Sequence, residues 1–151
     1  MIEYFEDLAV GQRRRAGPIP VTRDQVIEFG RDYDPQPMHL GEEEAKGTLA
    51  GELIASGWHT AALTMRLMVG GAMPDGGGQT LGLGCNNLSW SGLVRPGDML
   101  SAESEIIELR RSKSNPRRAV ITTRVVTTNQ RGEVVLSATL SAIIPCRTDG
   151  S

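Results

Sequence analysis

The chain has 151 residues, enough for one domain with a buried core. Its formal net charge of −2 excludes the basic footprint of a nucleic-acid binder. Two cysteines, Cys85 and Cys146, are too few for a disulfide framework and lack metal-ligand spacing, so they read as small buried hydrophobes in a reducing compartment.

The opening residues Met1–Asp7 lack the basic start and apolar run of a signal peptide. No apolar run reaches the roughly 18 residues of a membrane span, so a soluble cytoplasmic protein without membrane contacts is expected. Residues 1–20 form an entry arm with a short extended segment that ends at Gly17-Pro18-Ile19-Pro20. Thr22 followed by Gln25 is a capping box, and Val26, Phe29 and Tyr33 fall at helical spacing. A first helix over about 22–32 is predicted, with Asp32 a solvent carboxylate at its end.

That helix cannot run through Asp34-Pro35-Gln36-Pro37-Met38-His39. Each proline fixes its own φ and pushes the preceding residue out of the helical region, so the stretch is a stiffened loop. It holds a carboxylate and an imidazole five positions apart. Together these move protons at neutral pH, which makes Asp34 and His39 the candidate acid/base pair. His39 and His59 are the two histidines of the chain, and His59 is expected to pack within its helix. No zinc-type ligand spacing accompanies either, so no metal site is expected.

Residues 41–46 predict one helical turn in which Glu42 and Lys46 pair at i,i+4. After the bend at 47–51, Ile54, Trp58, Ala61, Met65 and Met68 recur every three or four residues. Ala55, Ala62, Leu63, Leu67 and Val69 broaden the stripe, which predicts a helix buried on most sides. Beyond the glycine-rich break at 70–78 the period changes to two. Residues 80–91, 98–109, 118–129 and 133–145 read as strands, with turns at Arg95-Pro96-Gly97-Asp98 and Asn129-Gln130-Arg131-Gly132. Long consecutive strands after one apolar helix imply a single α+β domain over 1–151, an antiparallel sheet wrapped around a central helix.

Three stretches together, Tyr33–His39, Ala55-Ser56-Gly57-Trp58-His59-Thr60 and Val94–Asp98, resemble the MaoC-like dehydratase family, which includes the (R)-specific enoyl-CoA hydratases and has the hot-dog fold. The resemblance covers essentially the whole chain. It departs from the family's Gly-Asp-x-Asn-Pro-x-His loop at Tyr33 and Gln36, while the Asp-to-His separation is kept. A hydroxyl expected further along the helix falls near Thr64, with Met65 in its place.

The resemblance implies reversible hydration of a trans-2-enoyl thioester to a 3-hydroxyacyl thioester, with Asp34 and His39 as the acid/base pair. Gly57 N–H, at the helix start, would polarise the thioester carbonyl. The acyl group would be carried on CoA or an acyl carrier, with no metal or redox cofactor, and the protein would be a homodimer. Gln36 and Trp58 are candidate substrate contacts, and Met65, Met68 and Met73 line either the core or an acyl tunnel. Arg110, Arg111, Lys113, Arg117 and Arg118, around a predicted hairpin, are candidates for the substrate phosphates. Two other readings stand beside this one. A hot-dog thioesterase needs a helix carboxylate, for which Glu52 is the nearest residue. A non-catalytic acyl-CoA-binding subunit would not need the Asp34/His39 pair.

Overall fold

A computed structural model describes residues 1–148; positions 149–151 of the expected 1–151 domain lie outside the described residues. Helix α1 (Arg23–Tyr33) begins as its capping box dictates. Thr22 Oγ1 accepts from Gln25 N–H at 3.3 Å, and Gln25 Oε1 accepts from Thr22 N–H at 3.4 Å. It stops at Asp34, ahead of Pro35, and the loop then makes one tight turn over Pro37–His39. A four-residue helix, α2 (Glu42–Ala45), follows. The expected Glu42–Lys46 pair does not form. Glu42 instead holds Arg23 of α1 with two bonds of 2.5 and 2.8 Å, and Lys46 reaches Glu43 at 2.7 Å. A bidentate guanidinium outcompetes a single-point ammonium for the same carboxylate.

Helix α3 (Gly57–Leu67) is capped by Ser56, and its chain continues as a wider helical turn over Met68–Ala72 and a short turn over Pro74–Gly77. Five antiparallel strands wrap around it: β1 (Arg13–Pro20), β2 (Leu81–Ser89), β3 (Met99–Arg111), β4 (Arg118–Thr128) and β5 (Val134–Pro145). Their order is β1-β3-β4-β5-β2, which leaves β1 and β2 at the edges. In β4 the alternation is as expected, with Ala119, Ile121, Thr123, Val125 and Thr127 buried. Leu63, Leu67 and Met68 pack with Leu100, Ala102, Val125 and Leu136 into the main core, and Phe5 and Leu8 of the entry arm close a second cluster around Ile106, Ile121 and Ile144. The result is an α+β hot-dog domain, one sheet curled around one helix. Among the described residues, no helix is long and apolar enough to cross a membrane.

Two further expectations are corrected. The inward face of α3 carries His59, Thr60, Leu63, Thr64 and Leu67, whereas Trp58 and Met65 are 57% and 46% exposed. The apolar stripe therefore marks a second face of α3 that this chain leaves uncovered. Cys85 is also exposed, because β2 is an edge strand, while Cys146 is buried as expected.

Candidate active site

The Asp34–His39 loop is closed by His39 N–H, which donates to Gln36 C=O at 2.9 Å, and is tied to the next segment by Ile54 N–H, which donates to Met38 C=O at 3.0 Å. Ala55 N–H in turn fixes that segment to Val94 C=O at 2.8 Å. Gly30, inside α1, is where the loop meets the helix. A Cβ there would stand 2.6 Å from the His39 carbonyl oxygen and 2.7 Å from its Cβ, so only glycine allows the approach.

Within this frame His39 Nε2 lies 3.3 Å from Asp34 Oδ2, with His39 buried and Asp34 nearly so. His39 Nδ1 is 2.7 Å from the Ile54 carbonyl oxygen, which can only accept, so Nδ1 carries a proton and donates. In the neutral ring Nε2 is then bare and faces a carboxylate oxygen. Two acceptors at that distance need a proton between them, from an imidazolium or from a water that donates to both.

Asp34 is held by two side chains. Ser56 Oγ donates to Oδ2 at 2.6 Å and Gln36 Nε2 donates to Oδ1 at 2.8 Å. Burial pushes the carboxyl up, but the Ser56 and Gln36 hydrogen bonds and the His39 charge outweigh it and hold Asp34 below its ordinary 3.8. Ser56 also caps α3 by accepting from Trp58 N–H at 3.2 Å. Gly57, the first residue of α3, has its N–H at the positive end of the helix, and no partner for it is found among the described residues. A Cβ on Gly57 would stand 2.6 Å from the Trp90 ring, so Trp90 lies directly over this residue. His39, Gly57, Thr60, Trp90 and Val94 line one cavity of 310 Å³. His39 and Gly57 thus face one cavity, with the Asp34 carboxylate held against His39.

The other expected site residues are placed differently. Trp58 meets Trp90 edge-on, with ring centroids 5.0 Å apart, and lines an apolar cavity beside the first. Thr64 turns inward and bonds Thr127 Oγ1 at 2.7 Å. The hairpin cations sit at the far end of the sheet. Strand β4 runs from Arg118, beside them, to Thr128, and the Val134 carbonyl that opens β5 accepts from Ser91 of the cavity wall at 3.0 Å. Eleven residues of strand make that separation about 35 Å. Arg111 is engaged by Glu6 at 2.8 Å and lies over the Phe5 ring, and Arg110 is 3.8 Å from Glu108. Lys113, Arg117 and Arg118 make no ion pair among the described residues. Within one protomer the fold does not bring these five side chains to Asp34.

Four contributors escaped the sequence reading: the Ser56 hydroxyl, the Ile54 carbonyl, Gly30 and Trp90. Ser56 carried a legible signal, a serine directly before an apolar helix. His59 lies alongside, stacked on Phe29 with centroids 4.8 Å apart and planes 8° apart, and its Nδ1 is buried without a partner among the described residues. Burial, then the His39 charge, pushes its pKa below 6.5.

The MaoC-like domain model matches residues 6–130. A solved MaoC-like dehydratase from Rhodospirillum rubrum is 44% identical, with a TM-score of 0.89 over 97% of this chain and 99% of its own. The R-hydratase PhaJ1 from Pseudomonas aeruginosa is 28% identical, with a TM-score of 0.73 over 95% of this chain and 86% of its own. The Bacillus subtilis protein YdeM, described as uncharacterized, is 29% identical over 93% of this chain and 97% of its own. The match to the domain model, together with the hot-dog fold, makes this chain a member of the MaoC-like domain family.

Proposed function

We propose that this protein is a hydratase/dehydratase that adds water to a trans-2-enoyl thioester, CoA-linked or carrier-linked, to give a 3-hydroxyacyl thioester. The observation that carries this reading is the Asp34–His39 pair at 3.3 Å, whose His39 lines the same cavity as Gly57 with its unpartnered N–H. One water donating to Asp34 Oδ2 and His39 Nε2 satisfies both acceptors. As its oxygen bonds C3 of the substrate, Asp34 takes a proton from it. The C2=C3 electron pair moves into a C1=C2 bond and the carbonyl π pair moves onto the thioester oxygen, which Gly57 N–H and the α3 dipole stabilise. The carbonyl reforms as C2 takes the proton held by the pair. Both atoms arrive from one face, so the addition is syn. Gln36 keeps Asp34 oriented, and Trp90 shields the oxyanion position from solvent.

The same reading makes the protein a homodimer. Edge strand β1 is protected by Arg13, Arg14, Arg15, Pro18 and Pro20, whereas edge strand β2 carries no charged side chain or proline. Leu81 and Leu83 on β2 are exposed, which makes this an apolar edge of the kind that a second copy would extend. The hairpin cations at 110–118 serve substrate phosphates only in an assembly that presents a partner's hairpin to this cavity.

A thioesterase is less well supported. Helix α3 carries no carboxylate, and Glu52 lies outside it, half-exposed and paired with Arg95. The discriminating assay follows the enoyl-thioester absorbance of crotonyl-CoA and free thiol in one cuvette. Loss of the chromophore without thiol release is expected. Thiol release points to the hydrolase, and binding without either signal points to a non-catalytic subunit.

A further inference from the structure

An apolar groove runs along the uncovered face of α3 from Trp58, whose ring meets Trp90 above Gly57 in the cavity that His39 faces. Its first part, of 210 Å³, is lined by Trp58, Ala61, Thr64, Met65, Cys85 and Leu136. Its second part, of 420 Å³, shares Met65, Cys85 and Leu140 and extends past Val69 and Met73 to Gly77. Gly82 and Gly84 of β2 form its floor, and a Cβ on either would meet open space. The far wall is the turn Met73–Gly77. Met73 Sδ lies 2.8 Å from where a Gly77 Cβ would stand, so the wall is tightly folded on itself.

That wall is tied down from outside. Glu3 Oε2 accepts from Asp75 N–H at 2.7 Å, and the Glu3 carboxylate takes both terminal nitrogens of Arg14, at 2.6 and 3.0 Å. Asp75 holds a left-handed φ of 43°, rare outside glycine, so an external bond steadies a conformation the residue does not prefer. Arg14 Nε and Asp75 Oδ1 are both buried without partners among the described residues. A donor and an acceptor left unmet on either side of Glu3 make this clasp weaker than the core around it, so it opens at lower cost.

We propose that Glu3 is a specificity-determining residue: its clasp on Asp75 holds Met73–Gly77 as the end wall of the acyl groove and sets the longest acyl chain the site accepts. For its substrate class this rests on the hydratase reading above. A short enoyl chain ends within the first cavity and is indifferent to the wall. A long chain fills the second cavity and meets it.

The test uses the full chain and two variants, Glu3→Ala and Gly82→Val. Calorimetry reads binding of butyryl-, octanoyl- and dodecanoyl-CoA, which carry no double bond to hydrate. Turnover of the matching enoyl-CoAs and amide exchange at 73–78 are read alongside. In Glu3→Ala, exchange at Asp75 is expected to rise about tenfold, the loss of one charge-assisted hydrogen bond. Dodecanoyl-CoA is expected to gain on butyryl-CoA, whose binding stays unchanged. In Gly82→Val, octanoyl- and dodecanoyl-CoA weaken while butyryl-CoA does not. The proposal is overturned if exchange at Asp75 does not change, or if it rises and chain-length preference stays put. Chain-length-dependent binding with no turnover in wild type removes the hydratase reading and leaves the clasp to be judged on binding alone.

Discussion

The Ser56 hydroxyl donates to Asp34 Oδ2 at 2.6 Å while accepting from Trp58 N–H at 3.2 Å, so one side chain both orients the candidate base and caps the helix that presents Gly57. Base and oxyanion donor come from segments more than twenty residues apart, and this serine fixes one against the other.

Ser56→Ala is therefore expected to act on stability and on pH dependence together. Loss of the cap costs about 1 kcal/mol. The Asp34 carboxyl, held low in part by this bond, moves upward. A lowered carboxyl contributes stability that is present above pH 3.8 and lost as pH falls through its folded value, so weakening the bond shifts the acid limb of activity to higher pH. A pH–rate profile of kcat/KM beside the wild type reads this, and an unmoved limb would show that Ser56 only caps.

Two glycines are expected to refuse a methyl group. Gly30→Ala puts a Cβ 2.6 Å from the His39 carbonyl oxygen, and Gly57→Ala puts one 2.6 Å from the Trp90 ring. Each forces a displacement costing about 1–3 kcal/mol. Gly30→Ala moves the Asp34–His39 loop and should lower kcat. Gly57→Ala should also shift tryptophan emission as Trp90 is pushed aside. Near-wild-type kcat in both would mean that the loop and ring relax freely.

His59 sets a pH dependence of stability. Its folded pKa lies below 6.5, so the unfolded chain takes up a proton first as pH falls. Stability is then lost as pH falls below 6.5, toward the lowered folded value. His59→Phe keeps a ring against Phe29 and removes the titration. Urea midpoints between pH 7.5 and 5 should fall less in the variant than in the wild type; equal slopes would assign the loss to another group.

Thr64 and Thr127 share a buried hydroxyl pair at 2.7 Å between α3 and β4. Thr127→Val leaves Thr64 its bond to the Thr60 carbonyl at 2.9 Å. Thr64→Val strands the Thr127 hydroxyl, which is 0% exposed, at a cost of about 1–3 kcal/mol. The double variant should recover part of that loss. A cycle with no coupling energy would show that the two hydroxyls are independent.

Much of this was legible in the sequence because it is local. The capping box at Thr22, the prolines flanking Gln36 and the change of period after residue 78 fixed α1, the loop and the strands to within one or two residues. The pairing of Asp34 with His39 followed from a loop too stiff to be a helix, and the two side chains meet at 3.3 Å. What the sequence withheld depends on distant neighbours. Spacing showed that Trp58 and Met65 share an apolar face but not whether this chain covers it. Helical geometry suggested Lys46 for Glu42, while Arg23 waited across the fold. Gly30 looked like an ordinary helix glycine until the loop closed on it, and the Ile54 carbonyl carries no signature at all.

The most direct test of the central claim is the rate at which crotonyl-CoA loses its enoyl-thioester absorbance in wild type, Asp34→Asn and His39→Ala, with each variant shown to be folded. The account expects rapid loss in wild type and a fall of at least about a hundredfold in both variants, the range for removing a positioned acid or base. Wild-type rates in either folded variant would contradict it.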